Sequence, residues 1–106
     1  MIKAVMYWDR MRMEVSGHAG YAPKGKDLVC AGASMLTGAL VGVLEEAEKQ
    51  GRTTFGWTDD NETLTIWADP KMNCLNEVKS YFRMCVKGFR MLQAEYSKYV
   101  EIREEC

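Results

Sequence analysis

His18 is the one histidine of the chain, and Cys30 follows twelve positions later; their types could do chemistry together. A thiolate is a strong nucleophile, and a nearby imidazole can take the thiol proton and later return it. Asp27 stands three positions before Cys30, where an apolar run begins, which puts the thiol in the first turn of a helix. The partial positive charge and free N–H groups of such a turn favour ionised sulfur. Ala19 to Lys26 contains Gly20, Pro23 and Gly25 without apolar periodicity and reads as a loop. Such a loop can fold back and bring the two residues into contact. The competing readings are a Cys30 that is simply a small buried hydrophobe and a His18 that caps a strand end.

Two neighbours support the pair. Asp27 can cap the helix start or orient the imidazole as third member of a triad; capping is favoured, because a first-turn carboxylate reaches the backbone donors most easily. Ser34 lies one helical turn beyond Cys30 on the same face, placed to bond near the thiol or back to its own helix. The N–H groups of Cys30 and Ala31 are the expected oxyanion donors. The remaining cysteines, Cys74, Cys85 and Cys106, show no paired zinc or redox spacing. Cys74 and Cys85 fall on one predicted helix roughly 16 Å apart, too far for a disulfide. A zinc module is disfavoured, and neither metal nor cofactor is expected.

The elements that must position these residues follow from periodicity. Ile2, Ala4, Met6 and Trp8 alternate with Lys3, Val5 and Tyr7, and Met11, Met13 and Val15 alternate with Arg12, Glu14 and Ser16. With a tight turn at Asp9-Arg10 this is a β-hairpin that delivers Gly17-His18 at its end. A helix is predicted from Asp27 to Gln50, stopped by Gly51. Its first half is apolar on nearly every face, as in a central element covered from several sides, with Gly32, Gly38 and Gly42 admitting a close neighbour. Thr53 to Asp59 and Glu62 to Ala68 form a second hairpin about Asp60-Asn61, ended by Asp69-Pro70. A second helix spans Asn73 to Tyr96, with a stripe of Leu75, Val78, Phe82, Cys85, Phe89, Leu92 and Tyr96. Lys98 to Arg103 adds a short strand before a loose acidic end. The expected fold is α/β of the α+β kind, a two-layer sandwich ordered β-β-α-β-β-α, with a small mostly antiparallel sheet and two helices.

Composition sets bounds. A chain of 106 residues, 47% hydrophobic and 27% charged, suits one soluble domain over residues 1–106. A net charge of -1 offers no electrostatic case for nucleic-acid or membrane binding. The apolar run from Leu28 to Leu44 is short for a membrane span and interrupted by Ser34, Thr37 and glycines, so a buried helix is expected. Met1-Ile2-Lys3-Ala4-Val5 enters a strand pattern without a signal-peptide pattern, which points to the cytoplasm.

Gly17-His18-Ala19-Gly20-Tyr21-Ala22, then Gly25-Lys26-Asp27-Leu28-Val29-Cys30-Ala31, then Ser34-Met35-Leu36-Thr37, resembles the signature of the ribosomal-processing cysteine proteases, the Prp family. The likeness runs on through the second hairpin, the second helix and Tyr96-Ser97-Lys98-Tyr99-Val100, although only the first stretch is specific. Ser97 stands where the family often has proline, and the first hairpin turn is short; neither departure touches His18 or Cys30. The resemblance implies Cys30 as nucleophile and His18 as general base, supported by Asp27 and Ser34. It implies a substrate loop holding Gly17, Gly20, Tyr21 and Gly25 that rearranges on binding, with Tyr21 as a wall for bulky apolar side chains before the cut. The implied substrate is the N-terminal extension of a bacterial large-subunit ribosomal protein, and the implied assembly a homodimer. The alternative is a non-catalytic ribosome-assembly or peptide-binding module that uses the same groove without turnover.

Overall fold

A computed structural model describes residues 1–23 and 27–106. The elements run β1 (Ile2–Tyr7), β2 (Arg12–Ser16), α1 (Leu28–Lys49), β3 (Thr53–Asp59), β4 (Thr63–Pro70), α2 (Leu75–Glu95) and β5 (Val100–Glu105). The strands form one mixed sheet in the order β3-β4-β2-β1-β5, antiparallel except that β5 runs parallel to β1. The fold is α+β, with both helices against one face of the sheet.

Strand alternation decides which face is covered. Ile2, Ala4 and Met6 of β1 are buried and stand beside Val100, Ile102 and Glu104 of β5. Met6 pairs with Met13, and Met13 with Ile66, so one row of large apolar side chains crosses the sheet. The α2 stripe of Val78, Phe82, Cys85, Val86 and Phe89 packs on this surface. Leu75, predicted to start that stripe, is exposed at the first residue of α2, just after a separate single turn at Met72–Cys74. Full burial of Phe82 and Phe89 contributes on the order of 2–3 kcal/mol each, so this seam holds α2 in place.

α1 departs from expectation. It buries only Val29, Ala33, Thr37, Leu40, Leu44 and Ala47, one stripe spaced at three and four. Leu28 is 64% and Met35 74% exposed, so the helix is covered from one side rather than several. Its length and hydropathy would pass for a membrane span, yet that stripe lies in the core against the sheet and α2. Gly38 and Gly42 face open space; the close helix contacts fall at Gly32, against the Leu92 side chain, and at Gly88 of α2, against that of Leu36.

Three boundaries also shift. The first turn is a single 3₁₀ turn, Trp8–Arg10, closed by Met11 in the left-handed region (φ 47°). β4 continues through Asp69-Pro70, because β2 starts at Arg12, opposite Trp67, and leaves only β3 beside Pro70. Proline lacks a ladder donor and is tolerated where one side is unpaired. The acidic tail is ordered as the end of β5: Glu104 accepts from the Trp8 indole N–H (2.8 Å) and pairs with Arg90 (2.6 Å). Arg90, followed by Trp8, holds the Glu104 carboxyl below the usual glutamate range.

Candidate active site

β2 ends at Ser16, and Gly17 turns the chain with φ +82°, a conformation L side chains rarely adopt. A Cβ on Gly17 would collide with the carbonyl oxygen of Met1, so the residue before His18 must be glycine. The Gly17 N–H donates to the Glu62 carbonyl at 3.4 Å, which ties this strand end to the β3–β4 turn. His18 itself is exposed.

The helix start is more tightly built. Asp27 is the N-cap of α1, and its Oδ1 accepts from the N–H groups of Val29 and Cys30, both at 3.0 Å. Its Oδ2 accepts from the Tyr21 N–H at 3.1 Å, so one carboxylate joins the loop to the helix. The Cys30 N–H, ahead of those of Tyr21 and Ala22, holds this carboxyl below the usual aspartate range. The amides expected to bind an oxyanion are engaged: Cys30 N–H on Asp27 Oδ1, and Ala31 N–H on the Asp27 carbonyl at 3.0 Å. A capped helix spends its first donors on its own cap.

His18, Cys30 and Ser34 border two cavities together. The larger, about 700 Å³, is completed by Gly20, Ala22, Asp27 and Ala31. The smaller, about 220 Å³, lies on the sheet side, with Ile2, Val15 and Leu64 among its apolar walls and Asp59, Asn61 and Glu62 at its edge. Sequence reasoning missed this second wall. The acidic run Asp59-Asp60-Asn61-Glu62 reads only as a hairpin turn, and the sheet order that brings β4 beside β2 is what carries it to His18.

Tyr21 lines neither cavity. Its ring meets Tyr96 and Tyr99 edge-to-face, with centroids 5.4 Å and 5.2 Å away, and so fastens the loop to the α2–β5 junction. Gly20 adopts φ +68°, and Gly25 lies outside the described residues. The other thiols differ from Cys30 in setting. Cys85 is buried beside Met13 Sδ (3.6 Å), and burial pushes its pKa up to about 12, so it stays protonated at neutral pH. Among the described residues no group of three or more His, Cys, Asp or Glu could hold a metal ion.

A thiol at a helix start and an imidazole at a strand end, lining one cleft, are groups a small cysteine hydrolase would need. The family model described as cysteine protease Prp matches residues 1–101, and the chain belongs to that family of cysteine proteases. Solved structures share the fold. One is an essential ribosomal processing protease Prp from S. aureus with a covalently linked product peptide (TM-score 0.78, 19% identity, 99% of this chain and 100% of that one). Another is the S. aureus Prp with a substrate peptide (TM-score 0.73, 18% identity, 99% and 100%). A third is SMU.848 from Streptococcus mutans (TM-score 0.67, 18% identity, 98% and 91%). No curated protein matches the chain.

Proposed function

We propose that this protease removes the N-terminal extension of a bacterial large-subunit ribosomal protein, with Cys30 as nucleophile and His18 as general base. The observation that carries the reading is that His18, Cys30 and Ser34 border both cavities at the start of α1, in a chain of the Prp family. The S. aureus relatives, named as ribosomal processing proteases and solved with peptide, support the substrate class.

The sequence of events follows from the chemistry. His18 takes the Cys30 thiol proton as sulfur attacks the scissile carbonyl carbon. The tetrahedral adduct collapses, the C–N bond breaks, and His18 returns the proton to the leaving amine. Water, deprotonated by His18, then attacks the thioester carbonyl; the thiol and a carboxyl product are released. Asp27 holds the helix start, and Ser34 lines both cavities. In this reading the enzyme works in the cytoplasm as a homodimer. Sedimentation of a 12 kDa species at tens of micromolar would remove the dimer.

A peptide spanning the extension junction tests the reaction by mass spectrometry. Wild type gives a single cut. Cys30→Ala binds without cutting, and His18→Ala slows cleavage by about 10²–10⁴. If wild type and Cys30→Ala bind equally and neither cuts, the chain is a peptide-binding module.

A further inference from the structure

A histidine that serves as a base needs a partner to fix its ring, and Asp27 is spent elsewhere. It lines only the loop-side cavity, and its two oxygens take the N–H groups of Val29, Cys30 and Tyr21. The sheet supplies another candidate. Ser16 of β2 stands opposite Thr63 of β4, and the Gly17 N–H donates to the Glu62 carbonyl, so His18 and Asn61 come next on the two chains. Both line the sheet-side cavity together with Cys30. The backbone of Asn61 is held from both sides. Its own N–H donates to Asp59 Oδ1 at 2.9 Å, and Asp60 Oδ1 accepts from the N–H groups of Glu62 and Thr63 at 2.9 Å and 2.7 Å. Its φ of +71° is a conformation that glycine adopts most readily, yet a side chain stands there. Among the described residues no hydrogen bond engages its side-chain amide, since its one bond to Asp59 is through the backbone.

We infer that Asn61 is the positioning residue for His18: its side-chain carbonyl accepts from one ring N–H and turns the other ring nitrogen, unprotonated, toward the Cys30 thiol. A neutral imidazole carries its proton on one nitrogen only, so a partner on one side fixes which nitrogen acts as the base. This rests on the proteolytic reading above and supplies the third group of its triad, where a neutral amide serves as well as a carboxylate. Glu62 lines the same cavity, but its side chain has one more rotatable bond and gives up more freedom to hold a ring in place. Asn61 acts on His18 and not on the peptide, so its loss falls on kcat rather than KM.

The test compares three residues at this position. Asn61→Gly keeps the left-handed turn and deletes the amide, so its melting temperature should not fall below that of wild type. Its kcat for the junction peptide should drop by about ten- to a hundredfold, with KM within about twofold of wild type. Asn61→Asp keeps an acceptor of the same shape and should recover most of that loss. A residue that only formed the turn would make glycine the best of the three, and one that donated to the oxyanion would make aspartate the worst. Either order overturns the inference, as does a loss that follows Glu62→Ala while Asn61→Gly cuts at the wild-type rate. Because His18 is the one histidine of the chain, nitrogen-15 spectra of its ring in Cys30→Ala give a reading without turnover. At about pH 9, where ordinary imidazole is neutral, one tautomer should dominate, and adding Asn61→Gly should let the two mix. An unchanged tautomer ratio overturns the inference. Failure of wild type to cut any peptide strikes the protease reading instead, and the spectra still decide whether Asn61 holds the ring.

Discussion

The helix start that carries Cys30 and the strand end that carries His18 are held in opposite ways. Around Cys30, three backbone N–H groups converge on one carboxylate at 3.0–3.1 Å, and Val29 is fully buried beneath. Around His18, the backbone is fixed by a left-handed glycine and a long 3.4 Å hydrogen bond, and the side chain is exposed. The next firm anchor is Tyr21, clasped by residues more than seventy positions away. The thiol on the helix start takes its place from short-range bonds. The imidazole at the strand end takes its place from whatever the fold brings alongside.

The largest expected effect follows from the strand end. Gly17→Ala places a methyl against the Met1 carbonyl and holds a non-glycine residue at φ +82°, strain of about 1–3 kcal/mol. The melting temperature should fall by about 5 °C or more, and cleavage by at least about tenfold as His18 is displaced. Gly20→Ala is the control: it too has positive φ, yet no atom of the described residues lies within 4 Å of its new methyl. Equal losses from the two substitutions would show that the strand end yields freely, which erases its half of the contrast.

The helix start predicts a smaller effect that depends on chemistry at one residue. Asparagine keeps one acceptor oxygen for the Val29 and Cys30 N–H groups but turns an NH2 donor toward the Tyr21 N–H, so Asp27→Asn keeps the cap, loses the loop tie and should lower kcat/KM by about three- to tenfold, whereas Asp27→Ala should lose more. A fall of about a hundredfold or more in Asp27→Asn would make the carboxylate an orienter of His18 instead. The pH dependence follows from the lowered folded pKa of Asp27. Its charge stabilises the fold above the ordinary aspartate range near pH 3.8, and that contribution is lost as pH falls through the lower folded value. The melting advantage of wild type over Asp27→Ala should hold from about pH 5 to 8 and shrink below about pH 4.

What is legible in the sequence divides along the same line. Alternation in Ile2-Ala4-Met6 and the stripe Val78-Phe82-Cys85-Phe89 are local patterns, and both become the core as expected. The Asp27 cap is also local, three positions from Cys30. The parallel pairing of β5 with β1 is not local: Ile2 meets Val100, and only Val100 and Ile102 of that strand are buried. Composition overstates the covering of α1, because it reports how apolar a helix is and not how many neighbours reach it. Asp59 and Glu62 beside His18 are invisible for the same reason as β5, since sheet order rather than spacing brings them there.

The smallest effect belongs to the tyrosine clasp and asks whether the two halves of the site are held independently. Edge-to-face pairs contribute about 0.5–1.5 kcal/mol beyond burial, and the half-exposed Tyr21 falls at the low end. Tyr21→Phe retains both ring contacts and should match wild type. Tyr21→Leu removes two such pairs, with Tyr96 and Tyr99, and should lower kcat/KM by about two- to fivefold, the factor that follows from losing both at the low end of that range. Tyr96→Leu removes only one of the two and should cost about twofold, and the double substitution should cost no more than Tyr21→Leu alone, because the Tyr21–Tyr96 pair is common to both. Alkylation of Cys30 by limiting iodoacetamide should stay at the wild-type rate in all of them, since the Asp27 cap does not depend on the tyrosine rings. If Tyr21→Leu slows alkylation as much as cleavage, the helix start is set through the loop as well, and the division between a locally fixed thiol and a remotely held imidazole does not stand.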